Sequence, residues 1–183
     1  MTGAHDDPAL LLRDCVNTYD VEPGTDHVST PELLAEWLAG RGLVSAGTTA
    51  TGDDLATATA LREGLREAMA AHHSPRDADL PDELEDALAA LPLRVTLTGG
   101  APRLVPLDPP ATAAGGLARL AAAIPASAAA GTGPRLKVCK EGTCRWAFLD
   151  TSKHRSPAWY SMSVCGNRTK TRAYRARRRP PAG

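Results

Sequence analysis

Residues 139–179 constrain this chain more than any other stretch, because they join three cysteines to a dense run of arginine and lysine. The stretch opens Cys139-Lys-Glu-Gly-Thr-Cys144, passes Trp146, Phe148 and Trp159, and reaches Val164-Cys165-Gly-Asn-Arg168. A basic run then continues to Arg179. A segment of about 45 residues buries too little apolar surface to fold unaided, so a metal would supply the missing stability. It nevertheless holds two of the three tryptophans and the single phenylalanine of the chain.

The cysteine spacing suits a shared ion. Four residues separate Cys139 from Cys144, and Gly142 among them permits a turn that aims both sulfurs at one point. Cys165 would add a third thiolate at the start of a terminal helix, where the helix dipole favours negative charge. Structural zinc takes four ligands. The interval between Cys139 and Cys144, stepped back from Cys165, lands on Tyr160, so His154 in the connecting loop is the neutral candidate for a Cys₃His set. With three protein ligands only, water or another donor would complete the site, as in catalytic centres. The alternative is three reduced thiols around an apolar plug of Trp146, Phe148 and Trp159.

A formal net charge of zero conceals two opposed halves. Residues 135–179 carry thirteen Lys and Arg against Glu141 and Asp150, a net +11, and the remainder carries eight basic against nineteen acidic residues, a net −11. All four lysines (Lys137, Lys140, Lys153 and Lys170) fall in the basic part, so the clustering is more than arginine-rich composition. This pattern predicts a nucleic-acid-facing tail on an acidic domain. Arg168, Arg172, Arg175 and Arg179 lie three or four residues apart on one helical face, flanked by Lys170, Tyr174 and Arg177, with Arg178 further round. The basic residues of this helix are the candidate phosphate contacts, and one or two could reach base edges. Their chemistry does not choose between DNA and RNA.

The N-terminal part reads as helical. Residues 8–19 carry a broad apolar stripe. Thr30-Pro31-Glu32 predicts a capped second helix ending at Gly40 or Gly42. Leu55, Leu61, Leu65 and Met69 mark a third helix over 52–72, and residues 81–91 a fourth. Two alternating runs, 93–98 and 103–107, flank Gly99-Gly100 and predict a β-hairpin. Residues 111–124 return to helix, and 126–134 read as a linker, so the acidic domain is expected to fold without the module.

Other features point to ordinary roles. Cys15 reads as a buried thiol and His72-His73 as a solvated helix end. Asp14, Asn17 and Asp20 could line a pocket. Gly166 would let the terminal helix approach the metal loop, and Asn167 would bond backbone near the site. No nucleophile elbow, phosphate loop or dinucleotide fingerprint occurs, and no catalytic role is assigned to any residue. The acidic start lacks a signal-peptide pattern, and the alanine-rich stretch 111–131 is too weakly apolar for a membrane span. A reducing, cytoplasmic setting is expected, which favours free or metal-bound thiols.

The module resembles the CGNR zinc finger in Cys139-x₄-Cys144, Phe148-Leu-Asp-Thr-Ser152, Trp159, Ser161-Met162 and Cys165-Gly-Asn-Arg168, followed by Lys170, Arg172 and Arg175. The preceding region resembles the ABATE domain that accompanies this finger in bacterial proteins, through Asp14-Cys-Val-Asn-Thr18 and Thr30-Pro-Glu-Leu-Leu-Ala-Glu-Trp-Leu38. The resemblance implies zinc binding and stress-linked transcriptional regulation. It also exposes two departures: the family generally has cysteine at position 160 and often asparagine at position 154. The expected architecture is mostly α with one β-hairpin: a helical domain over 1–130, then over 131–183 a zinc finger ending in a basic helix. The expected ligands are Cys139, Cys144, Cys165 and His154, with Zn²⁺ as cofactor. The expected nucleic-acid contacts are Arg168, Lys170, Arg172, Arg175, Arg177, Arg178 and Arg179. The expected partner is double-stranded DNA, with the N-terminal domain as a small-molecule sensor or homodimerisation unit. The rivals are an RNA-binding or ribosome-associated protein and an enzyme with an open metal site.

Overall fold

Four of the helices start where a side chain caps their first free N–H groups. The computed structural model describes residues 7–73, 80–107 and 111–178. Asp7 caps α1 (Pro8–Val16), Thr30 caps α2 (Pro31–Gly40) and Thr112 caps α5 (Ala113–Ala129). Thr51 and Asp54 form a reciprocal capping box on α3 (Gly52–Ala71). Such a cap is worth about 1 kcal/mol. The short α4 (Asp82–Ala89) has an acidic first turn, and α6 (Asn167–Arg178) closes the described chain.

Among the described residues, three antiparallel strand pairs complete the fold. They are β1 (Tyr19–Asp20) with β2 (Thr25–Asp26), β3 (Leu93–Thr96) with β4 (Arg103–Pro106), and β5 (Leu136–Val138) with β6 (Ala147–Leu149). The expected mostly helical architecture is borne out, and β3–β4 is the expected hairpin, pairing Leu93 with Pro106 and Thr96 with Arg103. Its connection places Gly99 and Gly100 at φ +92° and +87°, where a Cβ would be strained.

One apolar core gathers α1, α2, α3, α4 and α5 through Leu12, Leu38, Leu61, Leu84 and Leu117. Close helix approach depends on small residues: a Cβ on Gly64 would lie 2.6 Å from Leu84 Cβ, and one on Gly116 2.6 Å from Val44. The same core takes in Leu136, Val138 and Ala147. It therefore crosses the division at 130/131 drawn from sequence, and β5–β6 packs on α1 and α3.

Two local expectations are corrected. The first helix stops at Val16, because Asn17 turns its side chain to the module. Asn17 Nδ2 donates to Ala147 O at 2.9 Å, and Ala147 N–H donates back to Asn17 Oδ1 at 2.8 Å. Residues 126–134 are not a linker. Helix α5 continues through Pro125 to Ala129, Ser127 is buried, and Thr132 N–H returns to Ser127 O. Alanine has the highest helix propensity, and this run offsets the one hydrogen bond that proline removes.

Candidate metal centre and basic helix

Strand β5 delivers Cys139 directly after Val138, and Cys139 N–H donates to Trp146 O at 2.9 Å. The intervening loop closes as a turn with Cys144 N–H on Glu141 O at 2.9 Å. The third cysteine arrives on a wide helical turn, Met162–Gly166, immediately before α6, with Cys165 N–H on Ser161 O at 2.8 Å. The three Sγ atoms lie within 4.8 Å of one another. Cys139 and Cys165 are buried and Cys144 is partly so.

Backbone donors surround these sulfurs. The N–H groups of Tyr160 and Glu141 point to Cys139, and that of Trp146 to Cys144. Without a cation the cluster is poorly suited to ionisation: burial raises the Cys139 thiol, and burial and its neighbouring sulfurs push Cys144 to about 12. A divalent cation reverses that balance, because it stabilises the thiolates and accepts their charge. Three convergent soft donors fit zinc.

His154 does not join them. It lies exposed in the loop 151–158 and is absent from the group of converging donors. The loop is held elsewhere, by Lys137 Nζ on Arg155 O at 2.5 Å and by Arg155 at φ +50°. Tyr160, at the family's usual cysteine position, keeps its backbone at the site and turns its ring outward. The residue is 58% exposed, and its ring lies tilted against Trp146, with centroids 6.2 Å apart.

The two acids of the basic segment are both buried. Glu141 accepts from Thr169 Oγ1 at 2.8 Å and from Arg172 Nη2 at 2.8 Å, and these bonds hold its carboxyl below the usual range. Glu141 thus ties the cysteine loop to α6. Asp150 accepts from Lys137 Nζ at 2.8 Å. Burial opposes its ionisation, yet the bonds from Lys137 and Ser152 hold its pKa at about 2.

Helix α6 carries six basic residues and no acid. The structure assigns its faces in a way the spacing did not. Arg168 pairs with Glu22 of the β1–β2 loop at 2.7 Å, and Arg172 with Glu141, so this side is turned to carboxylates of the body. Lys170 is exposed on the opposite side, where position 177 also falls at helical spacing. Arg179 and the side chains of Arg175, Arg177 and Arg178 lie outside the described residues. Asn167 bonds Ser163 O at 2.9 Å, as expected of a backbone-bonding residue. The close approach at Gly166 is to Met162 of the preceding turn, 2.5 Å from where a Cβ would sit, and not to the metal loop.

The profile described as "CGNR zinc finger" matches residues 135–178, and the ABATE profile, described as "Putative stress-induced transcription regulator", matches residues 9–137. The chain belongs to the ABATE family. No individual curated protein matches it. The ABATE and CGNR segments meet at residues 135–137, at the entry to β5, so the module is a zinc finger whose first strand belongs to both parts. No helix among the described residues is long and apolar enough to cross a membrane.

Several residues that bind the ABATE and CGNR parts together were not singled out from sequence. Arg66 is 2% exposed and donates to Val16 O at 2.7 Å, Tyr19 O at 3.1 Å and Arg145 O at 2.8 Å. Arg62 pairs with Asp26 and Glu63 beside it. His72 is exposed, as a solvated end would be, and His73 is half-buried, yet both rings donate to β5, to Leu136 O at 2.6 Å and Val138 O at 2.7 Å. A signal did exist for Glu141, since an isolated acid inside a run of cations usually has a partner.

Proposed function

We propose that this ABATE-family protein binds double-stranded DNA through α6 and its zinc finger, as a transcriptional regulator. The observation that carries the reading is an acid-free basic helix whose first turn is fastened to the cysteine cluster through Cys165 and Thr169. A run this dense repels itself, and a polyanion relieves that repulsion. Because Arg168 and Arg172 hold the helix to the body, the side bearing Lys170 is the phosphate-contacting one, and helical spacing puts position 177 in register with it.

The N-terminal domain serves as the sensor or dimerisation unit. A cleft of about 910 Å³ supports the sensor role, with Arg13, Asp14, Asn17, Trp37 and Arg41 on one wall and Trp146 and Phe148 on the other. Its walls come from both parts, so a small molecule there would bear on the finger. Asp14 is already shared by Arg13 and Arg41, which leaves the pair with net positive charge. Free or metal-bound thiols suit a reducing cytoplasm. The architecture supports binding rather than catalysis, because both acids near the cysteines are held by cations.

The test is fluorescence anisotropy of the full chain with duplex DNA and with structured RNA at matched salt. Affinity should fall steeply with salt and favour DNA. Lys170→Ala with Arg177→Ala should lower the logarithmic salt slope by about 1.8, from about 0.9 per lost phosphate contact. Unchanged binding by the double variant, or preference for RNA, overturns the reading.

A further inference from the structure

We propose that the ion held by Cys139, Cys144 and Cys165 leaves its fourth coordination position to an exogenous small thiol, bound as the thiolate. The three converging sulfurs have no fourth His, Cys, Asp or Glu donor among the described residues. Each nearby side chain that could fill the place is otherwise committed. Both oxygens of Glu141 are bonded, Oε1 to Arg172 and Oε2 to Thr169. His154 sits exposed in a loop fastened through Arg155. The Tyr160 N–H bonds the Cys139 sulfur while its ring leans on Trp146.

The sulfur cluster is buried, and the loop on its Cys144 side is open to solvent. Cys144 is partly exposed, Gly142 and Thr143 are exposed, and nothing lies within 4 Å of a Cβ built on Gly142. Three thiolates on a divalent ion leave one net negative charge. They also supply enough electron density that a bound water gains little acidity, so the place favours a soft donor over hydroxide. Two cations stand near the cluster in sequence, Arg145 directly after Cys144 and Arg168 three residues after Cys165, paired with Glu67 and Glu22 respectively. Binding is ligand exchange without redox change: the thiol gives its proton to solvent, its sulfur bonds the ion, and a water leaves. The proposal concerns the ion itself and stands whether or not α6 binds DNA.

The full chain is loaded with one equivalent of cobalt(II) in thiol-free anaerobic buffer and titrated with 2-mercaptoethanol. The visible d–d bands should shift saturably while cobalt stays at one per chain. His154→Ala should titrate like the wild type. Tyr160→Cys, which supplies a fourth protein thiolate, should show the shifted bands without added thiol and respond no further. Should Tyr160→Cys fail to fold, zinc-edge X-ray absorption of the wild-type protein carries the test, with sulfur neighbours rising from three to four on adding thiol. Bands insensitive to thiol, cobalt stripped from the chain, or sensitivity that appears only in His154→Ala would each overturn the proposal.

Discussion

Replacing Arg66 with methionine should loosen the joint between the helical domain and the finger. The substitution keeps an apolar stem in the helix and deletes the guanidinium. Three backbone carbonyls, of Val16, Tyr19 and Arg145, then lose a donor at 2.7, 3.1 and 2.8 Å. A buried acceptor left unpaired costs about 1–3 kcal/mol. Val16 is fully buried and bears the whole penalty, whereas Tyr19 and Arg145 are half-buried and can recruit water. Glu63 keeps its bond from Arg62 at 2.8 Å. Relief of arginine desolvation offsets part of the loss, leaving a destabilisation of about 2–4 kcal/mol. At about 2–4 °C per kcal/mol for a chain of this size, the midpoint should fall by about 5–15 °C. The assay is thermal and urea unfolding of the full chain at fixed free zinc, followed by tryptophan fluorescence from Trp37, Trp146 and Trp159. Arg66→Lys should recover only part of the loss, because one ammonium cannot span three carbonyls as a planar fork does. A loss below about 1 kcal/mol in Arg66→Met would refute this account of the joint.

Two further outcomes follow from the geometry. Asp150 titrates at about 2 in the fold and near ~3.9 when unfolded, so its stabilising contribution is full above about pH 5 and is lost as pH falls through 4 toward 2. Asp150→Asn leaves the Lys137 ammonium buried without its counterion, costs about 3–5 kcal/mol at neutral pH, and removes that part of the acid slope in pH-dependent denaturation. Chelating the metal should release residues 160–178 to fast hydrogen exchange while α3, α5 and β5 stay protected, since Leu136 and Val138 belong to the main core. Equal protection of 160–178 before and after chelation would show that apolar and ionic contacts alone hold the helix.

The basic helix, the three clustered cysteines and the helical domain were legible because each has a local signature. Cap residues announce helix starts, alternating runs around Gly99-Gly100 announce a hairpin, and cysteines around a glycine turn announce a shared ion. Spacing along a helix predicted an arginine face on α6 through Arg168 and Arg172. It could not say which face meets the body, because that depends on Glu22 and Glu141 arriving from distant parts of the chain. The linker was misread for a related reason: Pro125 breaks the local pattern, but the helix continues where tertiary packing buries Ser127.

His154 shows the same limit at the metal. Residue type and loop position made it the natural fourth ligand, yet only the path of residues 151–158 decides where its ring lies, and Lys137 with Arg155 sets that path away from the sulfurs. The sequence by itself determined which groups could bind metal and polyanion, since that is a matter of side-chain chemistry and short spacing. The tertiary structure alone decided which of them meet. Asn17 clasps Ala147, Arg66 joins three carbonyls, and two histidines serve a strand more than sixty residues away, because long-range hydrogen bonds follow the packing of the whole core and leave no periodic trace in the chain.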